Sequence, residues 1–216
     1  MAKLYFRYGT VGSAKTLNLL AVAHNYERQG KRVLVLKPAL DTRDGATRIA
    51  SRAGLAREAD LVLPHGATLD RRRFRRLDAV LVDEAQFLSQ GVVDQLRELA
   101  RDPGVPVLCY GLRTDFRGRL FEGSHRLLEL ADSIEEVKTT CAECGRKAVL
   151  NLRLVNGRPS TDGPSVQLGG DESYRPACYA HWHAATRPAE RPARRGVAQR
   201  DRRARTRRSR ARAARP

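Results

Sequence analysis

The chain has 216 residues, 41% of them hydrophobic and 30% charged, and a formal net charge of +17. That length suits one globular domain with an appendage and is enough to bury a sizeable core. No apolar run approaches the roughly 20 residues that cross a bilayer, and the opening "MAKLYFRYG" lacks the layout of a secretion signal; no membrane partner and a cytoplasmic location are the expectations.

Lys3–Tyr8, "KLYFRY", reads as a strand. It runs into Tyr8–Thr16, "YGTVGSAKT", which matches the phosphate-loop pattern G-x-x-x-x-G-K-[ST] except that Ala14 replaces the glycine before the lysine. Thr16–Gln29 has leucines and alanines at helical spacing and stops at Gly30. Arg32–Pro38 is a short apolar run closed by proline, as in a buried parallel strand, and Asp78–Phe87 and Val105–Gly111 have the same character. Helical patterns occupy Gly91–Arg101 and Ser124–Ala131. Strands alternating with helices predict an α/β fold with a parallel sheet covered on both faces. The basic run Asp70–Arg76, "DRRRFRR", reads as a solvated helix or loop face, not a binding patch.

After Lys138 the texture changes. Cys141 and Cys144 open a section of short strands, a Gly/Pro/Ser/Asp-rich loop spans Asn156–Ser173, and Cys178 and His181 follow. The expected organisation is therefore an α/β nucleotide-binding domain over 1–138, a metal-stapled module over 139–184 and a basic tail over 185–216. From Arg187 onward thirteen arginines face only Glu190 and Asp201, so the tail holds eleven of the seventeen net positive charges. With no apolar periodicity it is expected to be disordered. A solvated extension and non-specific, salt-sensitive polyanion binding are its two readings.

A phosphate loop works because successive backbone N–H groups converge at a helix N-terminus, with the lysine reaching the terminal phosphates and the hydroxyl residue holding Mg²⁺. Gly9, Lys15 and Thr16 occupy those places, between a predicted strand and a predicted helix. Gly12 supplies flexibility, so Ala14 is expected to have a negative φ and leave the path of the loop unchanged. Asp83 and Glu84 end an apolar strand. In phosphate-loop enzymes such a strand-end Asp holds Mg²⁺ and a following Glu accepts the proton of the attacking nucleophile; the plainer alternative is a pair of solvated acids.

Cys141-x-x-Cys144 with Cys178-x-x-His181 has the paired spacing of a structural zinc site, and four protein ligands leave no open position. His183 competes with His181 but breaks the two-residue gap. Cys109, inside an apolar strand, reads as a small buried hydrophobe instead of a ligand.

Together, "GTVGSAKT", "KPALDTR" (Lys37–Arg43), "VDEAQF" (Val82–Phe87), "CYGLRTDFRG" (Cys109–Gly118), the two zinc pairs and "QLGGDESY" (Gln167–Tyr174) resemble the type II thymidine kinase family, which includes bacterial enzymes and the human cytosolic one. The resemblance covers residues 1–183. It implies a phosphate-loop NTPase-like, RecA-like sheet, a small zinc-stapled module with a lasso loop, and transfer of the γ-phosphoryl of ATP to the 5′-hydroxyl of thymidine. Carried onto this sequence, Glu84 is the general base, and Thr16 and Asp83 organise Mg²⁺. Gly9, Thr10, Val11, Gly12, Ser13, Ala14, Lys15 and Thr16 surround ATP together with Asp83, Glu84, Ala85 and Gln86. Asp41 and Arg43 lie by the reacting groups, Phe116 stacks on thymine, and Phe87 and Leu112 shape its pocket. The lasso, Val166, Gln167, Leu168, Gly169 and Gly170 through to Tyr174, closes over the base. A homotetramer and feedback by thymidine triphosphate also follow from the resemblance.

Two departures bear on chemistry. Ala14 touches ATP affinity or rate, not the fold. Val11 stands where the family often has methionine near the base, which points to altered preference between thymidine and deoxyuridine. The rival readings are a nucleotide-binding relict weakened by Ala14 and a nucleic-acid-associated zinc protein acting through its tail. Retention of Asp83 and Glu84 opposes the first; the absence of an aromatic-interleaved basic surface outside the tail opposes the second.

Overall fold

A computed structural model describes residues 2–165 and 173–187. The chain divides into two units, Met1–Thr186 and Arg187–Pro216. Val166–Gly170 of the expected lasso and nearly all of the tail, with its expected disorder and polyanion binding, lie outside the described residues.

In chain order the main strands and helices are β1 (Leu4–Tyr8), α1 (Lys15–Arg28), β2 (Val33–Pro38), the short β3 (Arg48–Ala50), β4 (Ala56–Glu58) and β5 (Leu61–Leu63), then β6 (Ala79–Val82), α2 (Gln90–Arg101), β7 (Val107–Gly111), α3 (Glu122–Leu130) and β8 (Ser133–Glu136). Six strands form a sheet in the order β5-β2-β6-β7-β1-β8, every pairing parallel. Parallel strands buried on both faces read as continuous apolar runs, and β7 shows why. Val107 and Cys109 face Val92, Leu96 and Leu99 of α2 and Leu127 of α3. Leu108 and Tyr110 join Leu19, Leu20 and Ala23 of α1 on the opposite face. Cys109 is fully buried, as expected of a small hydrophobe, and burial alone raises its thiol pKa strongly.

The acidic strand is shorter than Asp78–Phe87. It stops at Val82 because Glu84 turns into the left-handed region (φ 47°, ψ 38°) and starts a one-turn 3₁₀ helix, Ala85–Phe87. In the basic run, the Asp70 carboxylate accepts from the Arg72 amide at 3.0 Å and caps a 3₁₀ turn, Arg71–Phe74. Its arginines are exposed while Phe74 is fully buried, so the solvated face has one apolar anchor.

Beyond β8, β9 (Leu150–Val155), β10 (Arg158–Pro159) and β11 (Ser173–Ala177) form an antiparallel sheet in the order β10-β9-β11, and α4 (Tyr179–Thr186) follows. Trp182 and Ala185 of α4 pack on Leu152, Leu154 and Ala177. Among the described residues no helix is long and apolar enough to cross a membrane.

Candidate active site

The loop between β1 and α1 begins where Gly9 donates its N–H to the Gly111 carbonyl at 3.2 Å. Only glycine fits at position 9, because a Cβ would lie 2.4 Å from both Ser13 Oγ and the Val137 carbonyl. At the other end, Ala14 caps α1 with φ 62° and ψ 27°. The expectation of a negative φ is therefore wrong. The chain turns from the loop into α1 at Ala14, whose carbonyl accepts from the Asn18 amide (2.9 Å), and it does so in the left-handed conformation even though Gly12 (φ 73°) already supplies another left-handed residue. An alanine methyl in that region costs about 1–2 kcal/mol.

Lys15 is buried, and its Nζ donates to the Thr10 carbonyl (2.7 Å) and to Ser13 Oγ (3.3 Å). Burial lowers its pKa to about 8; Glu84 and Asp83 pull the other way, and the cations Arg43 and Arg52 add to the lowering. Thr16 Oγ1 donates to Asp83 Oδ2 at 3.0 Å. Asp83 is only 5% exposed, and burial followed by repulsion from Glu84 raises its carboxyl to about 7.

Glu84 is held from two sides. Arg43 Nη2 pairs with Oε1 and Gln86 Nε2 donates to Oε2, both at 2.5 Å. Gln86 in turn accepts from the Leu112 amide at 2.9 Å, so the side chain of Glu84 is referenced to the exit of β7. Arg43 also donates to Asp41 at 2.7 Å. The buried Lys37 lies 3.5 Å from Asp41 and donates to the carbonyls of Gly45 (3.1 Å) and Arg48 (2.8 Å), which fastens the segment after β2 to the β3–β4 hairpin.

These groups surround one cleft of about 550 Å³. It brings together the expected Val11, Gly12, Ala14, Lys15 and Thr16 with Asp41, Arg43, Asp83, Glu84 and Leu112. Ala85 and Gln86 lie buried behind it. Phe87 and Phe116 are not among the residues that line it. Phe87 packs edge-on against Phe121 (5.7 Å between centroids, 83° between planes). Phe116 is 1% exposed, with the Arg117 and Arg153 guanidinia 4.9 and 5.0 Å from its ring centre and Tyr174 6.5 Å away. Sequence reasoning missed Arg52, Lys37, Asn151 and Arg153. Asn151 and Arg153 are the polar members of an alternating strand, "LNLRLV", whose alternation alone reads as one solvent face, whereas the structure buries both faces.

The second cluster is Cys141, Cys144, Cys178 and His181, whose ligand atoms all lie within 4.8 Å of one another. The His181 Nδ1 atom is 3.4 Å from Cys141 Sγ and 3.5 Å from Cys178 Sγ, and Cys144 and Cys178 sulfurs are 4.0 Å apart. Zinc–ligand distances of about 2.3 Å to sulfur and 2.0–2.1 Å to nitrogen give tetrahedral edges of about 3.8 and 3.6 Å, so this constellation fits a zinc ion. Burial opposes ionisation of Cys141, but backbone hydrogen bonds at Cys178, Glu143 and Cys144 and the His181 ring outweigh it and bring the thiol to about 6. His183 is not in the cluster; its ring stacks on Tyr179 at 5.4 Å.

The thymidine kinase family model matches residues 2–182. A thymidine kinase of Streptococcus pyogenes serotype M3 is 46% identical over 187 residues, covering 84% of this chain and 97% of that one. One from Lactiplantibacillus plantarum is 47% identical over 184 residues, covering 84% and 96%. Among solved structures, a Pif1 helicase from Candida albicans shows a remote likeness, with TM-score 0.39 and 14% identity over 63% of this chain and 36% of that one. The phosphate loop, the paired acids and the Cys₃His cluster all fall within the matched span, and the chain belongs to the thymidine kinase family.

Proposed function

We propose that this chain transfers the γ-phosphoryl group of ATP to the 5′-hydroxyl of thymidine, producing thymidine monophosphate in nucleotide salvage. Family membership supports the reaction. The observation that carries the mechanism is Glu84, clamped between Arg43 and Gln86 at 2.5 Å each, in the same cleft as Lys15 and the Thr16–Asp83 pair. Phosphoryl transfer needs positioning and charge stabilisation more than covalent chemistry.

In this reading Lys15 and the loop amides at Gly12 and Ala14–Thr16 bind the ATP phosphates, while the amides of Gly9 and Val11 hold the loop in place through Gly111 and Asn151. Lys15 must leave the Thr10 carbonyl to do so, and a phosphate oxygen replaces that acceptor. Glu84 accepts the 5′-hydroxyl proton as the new O–P bond forms and the bond to the ADP leaving group breaks. Arg43 both orients Glu84 and lies next to the charge that develops. A hydroxyl and a buried carboxylate form a hard oxygen donor set, so Thr16 and Asp83 fit Mg²⁺. When bound, that ion neutralises charge on the phosphates. Phe116, Leu112 and Tyr174, with the 166–174 segment as a water-excluding lid, take the base and sugar. The Cys₃His cluster holds zinc structurally and anchors that lid.

The remaining expectations stand with this reading: a phosphate-loop domain over 1–138, a zinc module over 139–184, a tail beyond, cytoplasmic location, and a homotetramer. A phosphotransfer assay with ATP, Mg²⁺ and thymidine tests the function on wild type, Glu84→Gln and a chain ending at Thr186. Activity should fall about 10²–10⁴-fold in Glu84→Gln and persist in the truncation. A wild type that binds ATP without phosphorylating thymidine would overturn the proposal.

A further inference from the structure

The β3–β4 hairpin contributes a face of the cleft through Ile49–Ala53. Its turn is tied by the Ser51 amide to the Leu55 carbonyl (2.8 Å) and by the Gly54 amide to the Ser51 carbonyl (3.0 Å). Ile49 is buried against the α1 side of the sheet, and Lys37 fastens the hairpin from below at Arg48. This fixed turn presents Arg52. One of its guanidinium nitrogens lies 3.9 Å from where a Cβ on Gly12 would be, so the cation stands beside the phosphate loop.

Four carboxylates, Asp41, Asp44, Asp83 and Glu84, line the cleft against three cations, Lys15, Arg43 and Arg52. Arg43 is committed to Asp41 and Glu84, and Lys15 to its own loop. Arg52 is exposed and, among the described residues, makes no hydrogen bond or ion pair. Its charge still reaches the site, since it disfavours the protonated form of Lys15. A planar guanidinium with its donors free, set beside Gly12 of the phosphate loop, matches a phosphate group in charge and shape.

We propose that Arg52 is a further phosphate-binding residue for the donor nucleotide, closing on its polyphosphate from the hairpin side of the loop. This rests on the cleft being the ATP site of the proposed kinase. Arg52 has no structural bond to lose, so its substitution leaves the fold intact. The test is direct titration of full-length wild type, Arg52→Ala and Arg52→Lys with Mg-ATP and, separately, with thymidine, alongside steady-state kinetics. Arg52→Ala should weaken ATP binding and raise its KM about ten-fold, as expected for one charge-assisted hydrogen-bonded contact. Arg52→Lys should recover part of that loss, and thymidine binding should stay within about two-fold. ATP affinity within two-fold of wild type in Arg52→Ala would overturn the assignment, as would equal losses for ATP and thymidine. A wild type that bound ATP in an Arg52-dependent way but did not phosphorylate thymidine would overturn the functional reading and leave Arg52 assigned.

Discussion

The Val11 amide donates to Asn151 Oδ1 at 2.8 Å, across 140 residues of sequence. The same side chain donates through Nδ2 to the Thr114 carbonyl at 3.3 Å. Asn151 thus ties the phosphate loop, the segment after β7 and strand β9 together from a position 3% exposed to solvent. Val11, the position marked for its bearing on base preference, is held by its backbone whatever its side chain contacts.

Replacing Asn151 with Ala leaves the half-buried Val11 N–H and the buried Thr114 C=O without this partner, at a cost of about 1–3 kcal/mol. For a protein of this size that is a fall in Tm of about 2–12 °C. Because a loop amide is released, KM for ATP should rise several-fold. Thermal denaturation and ATP kinetics check both; an unchanged KM would show that the loop holds its shape unaided.

Ala14→Gly should stabilise the chain. Removing the methyl at φ 62° relieves about 1–2 kcal/mol of strain, and the extra freedom of glycine in the unfolded chain returns about 0.5–1 kcal/mol of that. The net gain is up to about 1.5 kcal/mol, a rise in Tm of up to about 6 °C. A lower Tm in this variant would mean that the alanine is not strained.

Asp83 gives the protein a characteristic pH response. Its folded pKa, about 7, lies above the ordinary carboxyl value, so between about pH 4 and 7 the folded state holds a proton that the unfolded state has lost. Stability relative to Asp83→Asn should therefore fall as pH rises through that window and level off above it. Saturating Mg²⁺ should flatten the difference by favouring the ionised carboxylate. Urea midpoints for the two chains from pH 5 to 8, with and without Mg²⁺, measure it.

Much of this was legible in the sequence because it depends on local spacing. The phosphate loop, the strand-end acids and the Cys/His pairs each declare their chemistry within a few residues. Ala14 was misread because its φ is set by the direction in which the chain must enter α1, and no local pattern encodes that direction. The β3–β4 hairpin escaped because three-residue strands with mostly exposed side chains have no usable period. Arg52 went with it, and so did the role of Lys37, which lies in β2 but bonds the Arg48 carbonyl of the hairpin. Asn151 and Arg153 alternate with leucines along β9 as a solvent face does, and only tertiary packing buries both faces of the strand. Phe87 and Phe116, both assigned near the base, are outside the lining of the cleft, Phe87 resting on Phe121.

Removing the proposed zinc, by chelation or by Cys178→Ser, should separate the two halves of the site. Metal binding stabilises the folded state, and its loss should lower Tm by about 4–16 °C, for about 2–4 kcal/mol. Thymidine KM should rise more than ATP KM, because β11 and α4 flank Cys178 whereas the phosphate loop is anchored on β1 and β7. Equal effects on both substrates would contradict that separation.

Trp182 is the only tryptophan in the chain. It sits one residue beyond His181 and donates its indole N–H to the Phe116 carbonyl at 2.7 Å. Its ring also lies 3.5 Å from where a Cβ on Gly118 would be. A single indole therefore bridges the Cys₃His cluster and the aromatic loop. The protein carries its own optical gauge: emission excited at the indole band should shift when either end of that bridge moves, without any attached dye.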